Sequence, residues 1–314
     1  MPAAFSSRHV RKNCRDMRGI ININKPEEFT SHDVVAILRR LLGEKRIGHT
    51  GTLDPMATGV LVVCVGNATR IIEYLDHHEK EYRCRLRFGL ETDTYDVWGR
   101  TVRTSSRIPS GPEIETALAA FRGEIEQVPP MYAAIKVKGK KLYEYARAGQ
   151  SVEVKSRKVR ISRLVLEEYD KGEAQLLIRC SRGTYIRSLC HDLGEALGTC
   201  AAMSSLVRTA SGSFRIEEAH PLQTLRQMPR EDIARLLLPP DRPLTEMGEI
   251  RLQPVQANAL IDGKKAAFSP SQLVKESCQD DKYRVYAEGI FIGVADRTEE
   301  TALRADKIFC TEKL

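Results

Sequence analysis

The segment at residues 82–89, YRCRLRFG, constrains the fold more than any other part of this sequence. Its side chains alternate strictly between apolar or aromatic residues and arginines. Because successive side chains of a β-strand point to opposite faces of a sheet, this pattern predicts a strand with one buried face and one basic face. The arginines then either lie on a solvated sheet surface or contact a polyanionic partner.

Helix and strand patterns surround this segment without a regular βαβ order. Residues 19–24 form an apolar strand-like run, and a helix is predicted to begin near Ser31, a favourable N-cap residue. Further strands are predicted at 60–66, 158–168 and 173–180, further helices from Pro112 to Gly123 and from 186 to Gly198, and a hairpin tip at KVKGKK (136–141). This mixture favours the α+β class.

The composition is that of a folded protein with a basic surface. The chain has 314 residues, enough for one large domain with or without a small one. Lys and Arg outnumber Asp and Glu by 49 to 42, which favours a polyanionic partner without requiring one. The sequence has no apolar run of ~18 residues, so we expect no membrane contact.

The eight cysteines are spread along the chain, and none forms a CxxC pair. This spacing argues against a zinc ribbon and, without a secretory signal, favours reduced thiols in the cytoplasm. Cys190, His191 and Asp192 are adjacent, but consecutive residues of a helix point in different directions and cannot converge on one ion. We therefore expect no metal site at these three residues.

Charge and proline content suggest where the chain divides. Residues 1–18 carry five basic residues and one acidic residue and lack the apolar core of a signal peptide. We interpret them as a flexible basic tail, with a short organellar transit peptide as the alternative. The PPDRP run after residue 238 predicts a boundary, followed by a small β-rich segment.

A glycine-punctuated loop at residues 48–59, GHTGTLDPMATG, presents an aspartate directly before a proline. Pro55 disfavours helical angles at Asp54 and so holds this carboxylate in an extended or turn conformation. The spacing matches neither a Walker phosphate loop nor a GxGxxG motif. From the residues alone, a plain turn is the more common explanation of such a loop.

Several segments together resemble the TruB family of tRNA pseudouridine synthases. GHTGTLDPMATGVL is similar to the catalytic motif of that family, and further similar blocks follow in the same order over roughly residues 19–220. These blocks are NKP (24–26), GNATR (66–70), KEYR (80–83), TDTYDVWG (92–99), PPMYAAIKVKGKKLYEYAR (129–147), CSRGTYIRSLCHDLGEALG (180–198) and LVRTASGSF (206–214).

The resemblance implies an α+β fold, with a pseudouridine synthase core of mixed, largely antiparallel sheet and flanking helices. The catalytic domain would span residues 19–245, with an RNA-gripping insert at 124–152, and a PUA-like domain would span 246–314. The implied reaction is isomerisation of uridine at position 55 in the T-loop of tRNA, by base flipping and without cofactor or metal. The binding partner would be the T-arm of tRNA. The protein would act as a monomer and would need no other protein.

The resemblance also assigns roles to individual residues. Asp54 would be the essential carboxylate, attacking either the base or the sugar. Tyr82 would pack against the target base and help remove the C5 proton, and Arg187 would pair with Asp54. The implied substrate- and RNA-binding residues are His49 where the base is extruded, Tyr185 and Leu206 in the uracil pocket, Lys25 beneath the loop, Asp96 and Lys136.

One position departs from the family pattern. Many relatives have a glycine after the Lys-Pro pair, in the pattern KPxG, where this chain has Glu28. If the backbone has a positive φ there, a non-glycine residue costs ~1 kcal/mol.

Three alternatives to a stand-alone synthase stay open. They are an RNA-binding or RNA-folding protein without catalysis, a guide-RNA-dependent synthase and a metal-dependent RNA hydrolase. The insert at 124–152 favours the stand-alone enzyme over the guide-dependent one, because guide-dependent relatives generally lack it.

Overall fold

The structure is a computed structural model that describes residues 19–75, 78–133, 135–137, 139–150, 152–278 and 281–314. The predicted basic tail at 1–18 lies outside these residues, as does the side chain of Lys136. No helix in the described ranges is long and apolar enough to cross a membrane.

The strands and helices follow one another in a mixed order. The strands are β1 (Gly19–Lys25), β2 (Ile47–His49), β3 (Thr58–Val65), β4 (Lys80–Phe88), β5 (Leu90–Thr92), β6 (Thr101–Thr104), β7 (Gly123–Gln127), β8 (Lys136–Val137), β9 (Lys140–Lys141), β10 (Arg157–Asp170), β11 (Glu173–Cys180), β12 (Ala201–Ser211), β13 (Phe214–Arg215), β14 (His220–Pro221), β15 (Gly248–Arg251), β16 (Ala266–Ala267), β17 (Leu273–Lys275), β18 (Lys282–Ala287), β19 (Ile290–Glu299) and β20 (Ala302–Ile308). The helices are α1 (Ser31–Leu42), α2 (Ile72–Leu75), α3 (Gly111–Leu118), α4 (Leu142–Arg147), α5 (Ile186–Ala196), α6 (Leu222–Gln227), α7 (Arg230–Arg235) and α8 (Pro254–Ile261).

The main sheet has the strand order β14-β1-β3-β12-β4-β11-β10-β7, with β2 added to β3 and β13 to β12. The pairs β1/β14 and β3/β12 are parallel, and the other neighbours are antiparallel. The predicted α+β fold with a mixed, largely antiparallel sheet is therefore confirmed. Helices α3 and α5 cover one part of the sheet, while α1, α6 and α7 pack near β1 and β3.

Strand β4 lies inside the sheet, between β12 and β11. Its alternation is as predicted, with Tyr82, Cys84, Leu86 and Phe88 buried against α5 and the three intervening arginines exposed. Among these arginines, Arg83 pairs with Glu167 at 3.2 Å and Arg85 with Glu168 at 3.1 Å. The arginines thus form an exposed sheet face on the side opposite Tyr82.

A second sheet follows toward the C-terminus, with the order β16-β20-β19-β18-β15-β17 and α8 packed against it. This confirms a β-rich C-terminal unit, while its likeness to a PUA domain and the boundary at residue 246 stay predictions. It contacts α2, where the Tyr74 hydroxyl donates to Asp306 at 2.8 Å and Glu73 pairs with Lys307 at 2.9 Å.

Two local details lie just before and at the start of α1, and the first differs from the sequence-based prediction. The N-cap is Thr30, not Ser31, because Thr30 Oγ1 accepts from the Asp33 amide at 3.0 Å and the Asp33 carboxylate accepts from the Thr30 amide at 2.9 Å. Glu28 has φ of 66°, so the position where relatives carry glycine does have left-handed backbone. The ~1 kcal/mol cost expected for a non-glycine residue applies there.

Candidate active site

Asp54 lies in the loop between β2 and β3, and this loop is anchored from several sides. The Ser31 hydroxyl at the start of α1 accepts a hydrogen bond from the Leu53 amide at 2.8 Å. The Pro55 carbonyl accepts from the Glu28 amide at 2.9 Å and from Lys25 Nζ at 3.2 Å. The residue predicted as a helix cap therefore holds the loop instead, and the carboxylate of Asp54 projects from a fixed backbone.

A cavity of about 350 Å³ opens beside this loop. Its volume falls at the lower end of the range usual for small-molecule sites, ~300–1,000 Å³. It is lined by residues 50–54, Lys80, Tyr82, Ala133, Ile135, residues 182–187, Leu206 and Arg208. Five of the predicted site residues thus meet in one cavity: Asp54, Tyr82, Tyr185, Arg187 and Leu206.

Arg187 lies between two carboxylates at the first turn of α5. Its Nε is 3.0 Å from Asp54 Oδ2, and its Nη1 is 3.6 Å from Asp96 Oδ2. The guanidinium also donates to the carbonyls of Thr94 at 3.2 Å and Tyr132 at 2.9 Å. The arginine side chain is 6% exposed and that of Asp54 is 38% exposed, so the carboxylate is the more accessible partner of this ion pair.

Asp96 lies behind Arg187 and does not line the cavity. Its carboxylate accepts hydrogen bonds from the Thr94 hydroxyl at 2.8 Å and from the Trp98 amide at 3.1 Å. Burial raises the pKa of Asp96, while these hydrogen bonds and Arg187 lower it. This arrangement suits a residue that holds Arg187 in place better than one that contacts RNA.

Tyr82 lies on the cavity wall with its ring almost fully buried. Burial raises the pKa of its phenol, and the positive charge of Arg208 opposes that shift. The phenol is therefore protonated at neutral pH, which favours packing against a base over accepting a proton from one.

Tyr185 and Leu206 form further parts of the wall. The backbone of Tyr185 is held by the buried side chain of Gln127 in β7, which accepts from the Tyr185 amide at 2.8 Å and donates to its carbonyl at 3.0 Å. Leu206 projects from β12, opposite Cys84 of β4. Both side chains present apolar surface to the cavity.

His49 and Lys25 support the loop from outside the cavity lining. His49 Nδ1 accepts from the Gly51 amide at 3.3 Å, and burial, followed by the charge of Arg208, lowers the pKa of the imidazole. Lys25 is fully buried, and its Nζ donates to the carbonyls of Pro26, Phe29 and Pro55. Burial lowers the pKa of Lys25 to about 8, although the charge of Asp54 acts in the opposite direction.

The sequence analysis missed Arg208, a fully buried residue on the cavity wall. A signal for it exists, because Arg208 follows Leu206 by two positions in a strand, which places both on the same face. Arg208 pairs with Tyr82 across β12 and β4, as Leu206 pairs with Cys84.

A separate cluster outside the cavity offers ligand atoms of Glu91, His191 and Glu195 within 4.8 Å of one another. Arg103 forms ion pairs with both glutamates. Its guanidinium already serves as the cationic partner of both carboxylates, and we assign no metal to this cluster.

Comparison with known proteins identifies the family. The family model described as "TruB family pseudouridylate synthase (N terminal domain)" matches residues 39–186, and that of the "tRNA pseudouridylate synthase B C-terminal domain" matches residues 187–245. The chain is 40% identical over 286 residues to the tRNA pseudouridine synthase B of Clostridium tetani, covering 90% of this chain and 97% of the relative. It is 41% identical over 302 residues to that of Syntrophomonas wolfei, covering 93% and 99%.

Solved structures agree in fold. A Cbf5-Nop10-Gar1 complex contains a chain that superimposes with a TM-score of 0.72 at 25% identity, covering 93% of this chain and 85% of that one. A chain from an H/ACA RNP bound to a substrate RNA containing 2'-deoxyuridine gives 0.71 at 23% identity, covering 94% and 86%. With its family models and its full-length relatives in agreement, this chain belongs to the TruB family of pseudouridylate synthases.

Proposed function

We propose that this protein isomerises uridine to pseudouridine at position 55 in the T-loop of tRNA, with Asp54 as the essential carboxylate. Its membership of the family makes it a tRNA pseudouridine synthase. The observation that carries the finer proposal is the Asp54 carboxylate, which is held at a cavity of about 350 Å³ by a buried arginine 3.0 Å away.

The chemistry requires a placed nucleophile and no redox partner. The bond between N1 and C1′ breaks, the base turns, a bond between C5 and C1′ forms, the C5 proton leaves and N1 gains a proton. The carboxylate of Asp54 attacks either the base or the sugar, and both routes need a negative oxygen beside the nucleoside. Arg187 supports that role because an adjacent guanidinium favours the charged carboxylate and fixes its direction.

The proposed reaction includes base flipping. A base stacked within the T-loop cannot reach a carboxylate in a recess, so the target nucleotide must leave the stack at a cost of a few kcal/mol. Contacts with the apolar walls formed by Tyr82, Tyr185 and Leu206 offset this cost. The side chain of Asp54 is 38% exposed, which leaves its carboxylate accessible to the flipped nucleotide.

We also propose that the protein works as a single chain in the cytoplasm. Its likeness to relatives named tRNA pseudouridine synthase B extends over nearly the full length of those relatives, which supports a self-contained enzyme. The cysteines within the described ranges are free thiols, in keeping with a reducing compartment.

Tritium release from a tRNA transcript that carries uridine tritiated at C5 tests the proposal. We expect the intact protein to release tritium from this transcript, with or without a chelator. A control transcript that differs only in having cytidine at position 55 should release none. Asp54→Ala should release no tritium, whereas Asp232→Ala, at a side chain of α7 that is 41% exposed, should behave as the intact protein does.

Two results would count against the proposal. Binding of tRNA by the intact protein without any release would point to an RNA-folding protein or a guide-dependent synthase. Release that a chelator abolishes would point to metal-dependent chemistry.

A further inference from the structure

Arg208 is the largest side chain among the fully buried ones, and it stands beside the cavity. Its exposed fraction is 2%. None of the ion pairs found in the described part of the chain involves this residue, so no carboxylate lies within 4.0 Å of its guanidinium there. Burying a charge without a counter-charge is costly, and hydrophobic packing would have stabilised the same position more simply. The position of this arginine therefore calls for a functional reason.

The hydrogen bonds of Arg208 supply that reason. Its Nη2 donates to the Gly51 carbonyl at 3.1 Å, and its Nη1 donates to the Thr52 carbonyl at 3.3 Å. Its Nε donates to the Val60 carbonyl in β3 at 2.7 Å. A single guanidinium thus hydrogen-bonds both to the two loop carbonyls shortly before Asp54 and to β3, the strand that follows the loop.

The backbone is shaped to bring the guanidinium to this point. Strands β3 and β12 run parallel, with Gly59 opposite Arg208. A Cβ on Gly59 would lie 2.3 Å from the Arg208 carbonyl oxygen and 2.8 Å from its amide nitrogen, and Gly59 has φ of 101°. Only glycine allows so close an approach with this backbone conformation. The loop and the arginine are therefore held in register by the sheet itself.

The charge of Arg208 also reaches the other groups around the loop. It lowers the pKa of Tyr82 and of His49, in both cases as a smaller influence than burial. It likewise lowers the pKa of Lys25, where burial is again the main cause. Three predicted site residues thus lie within its electrostatic influence.

We propose that Arg208 is a positioning residue for this reaction, fixing Asp54 by holding the carbonyls of Gly51 and Thr52. The inference rests on the proposed function of Asp54. A lysine at this position keeps the positive charge, but its ammonium group donates from a single nitrogen. It cannot reach carbonyls on both the loop and β3, as the planar guanidinium of arginine does. An error of ~1 Å in the placement of a reacting group costs ~100-fold in rate.

The test compares Arg208→Lys and Arg208→Gln with the intact protein in single-turnover reactions on a tRNA transcript, with enzyme in saturating excess. Partial misfolding leaves the rate constant unchanged under these conditions, because folded enzyme still saturates the RNA. We expect a rate constant ~100-fold lower for both variants, with the dissociation constant for tRNA within about threefold of the original. Arg284→Lys, at an arginine of the second sheet whose side chain is 13% exposed, is the control and should keep the original rate.

Three outcomes would overturn the inference. These are a rate constant for Arg208→Lys within about threefold of the original, a loss that appears only in tRNA affinity, and a failure of both variants to fold even with tRNA present. The last would make Arg208 purely structural. An intact protein that forms no pseudouridine in these reactions would instead refute the proposed function, as would an Asp54→Ala variant that is active in the tritium-release assay.

Discussion

Lys25 offers a sharp test of how the loop is supported, because its ammonium group is fully buried and its pKa is lowered from 10.5 to about 8. In the unfolded chain the amine keeps its proton up to the higher value, so the folded protein binds fewer protons between these two pH values. Stability due to this group is therefore fully present above pH 10.5 and is lost as the pH falls through 8. A pKa lowered by this amount corresponds to about 3 kcal/mol.

The perturbation is Lys25→Met, which keeps the length of the side chain and removes the titration. We expect the variant to be less stable at every pH, since the carbonyls of Pro26, Phe29 and Pro55 lose their donor. The difference in unfolding free energy between the intact protein and the variant should grow by about 2–3 kcal/mol from pH 7 to pH 10.

Urea unfolding followed by circular dichroism at several pH values measures this difference, and other titrations cancel because both proteins share them. Lys45→Met, at an exposed position, controls for the added apolar side chain. A difference that stays flat or shrinks as the pH rises would refute the reasoning about Lys25.

Three further changes probe neighbouring features. Asp96→Asn keeps the shape but removes the charge behind Arg187, so single-turnover rates should fall ~10–100-fold with unchanged tRNA affinity; an unchanged rate would show that Asp96 does not help to orient Arg187. Glu28→Gly removes the strain of a non-glycine residue at positive φ and should raise the unfolding free energy, measured in urea, by about 0.5–1 kcal/mol. A decrease in the unfolding free energy would contradict the presence of strain at this position. Gly59→Ala should lower the thermal midpoint through a loss of ~3 kcal/mol or more, because its Cβ meets the backbone of Arg208; a midpoint within 2 °C of the original would refute the close approach.

Periodicity explains what the sequence predicted well. The alternation in β4 and the apolar stripe of α5 are local patterns, and each reports which side of its own element is buried. The strands predicted at 158–168 and 173–180 pair as β10 and β11, and the turn that joins them has positive φ at Lys171 and Gly172. The hairpin of β8 and β9 formed as predicted.

What the sequence could not supply depends on contacts between distant segments. Ser31 resembles a helix cap, yet its hydroxyl is used by Leu53, a partner that only the folded chain brings near. The pairing of Arg83 with Glu167 likewise depends on strand order. Arg208 was not predicted because an arginine in a strand is usually at the surface. Its hydrogen-bond acceptors are main-chain carbonyls, which cannot be identified from the sequence.

The role of Asp54 is tested by mapping pseudouridine in a tRNA transcript, using carbodiimide labelling and primer extension. The intact protein should produce one new stop, at position 55. Asp54→Asn, which is nearly isosteric, should bind the transcript and produce no stop. A stop at position 55 made by Asp54→Asn at the original rate, or no stop there with the intact protein, would contradict the account.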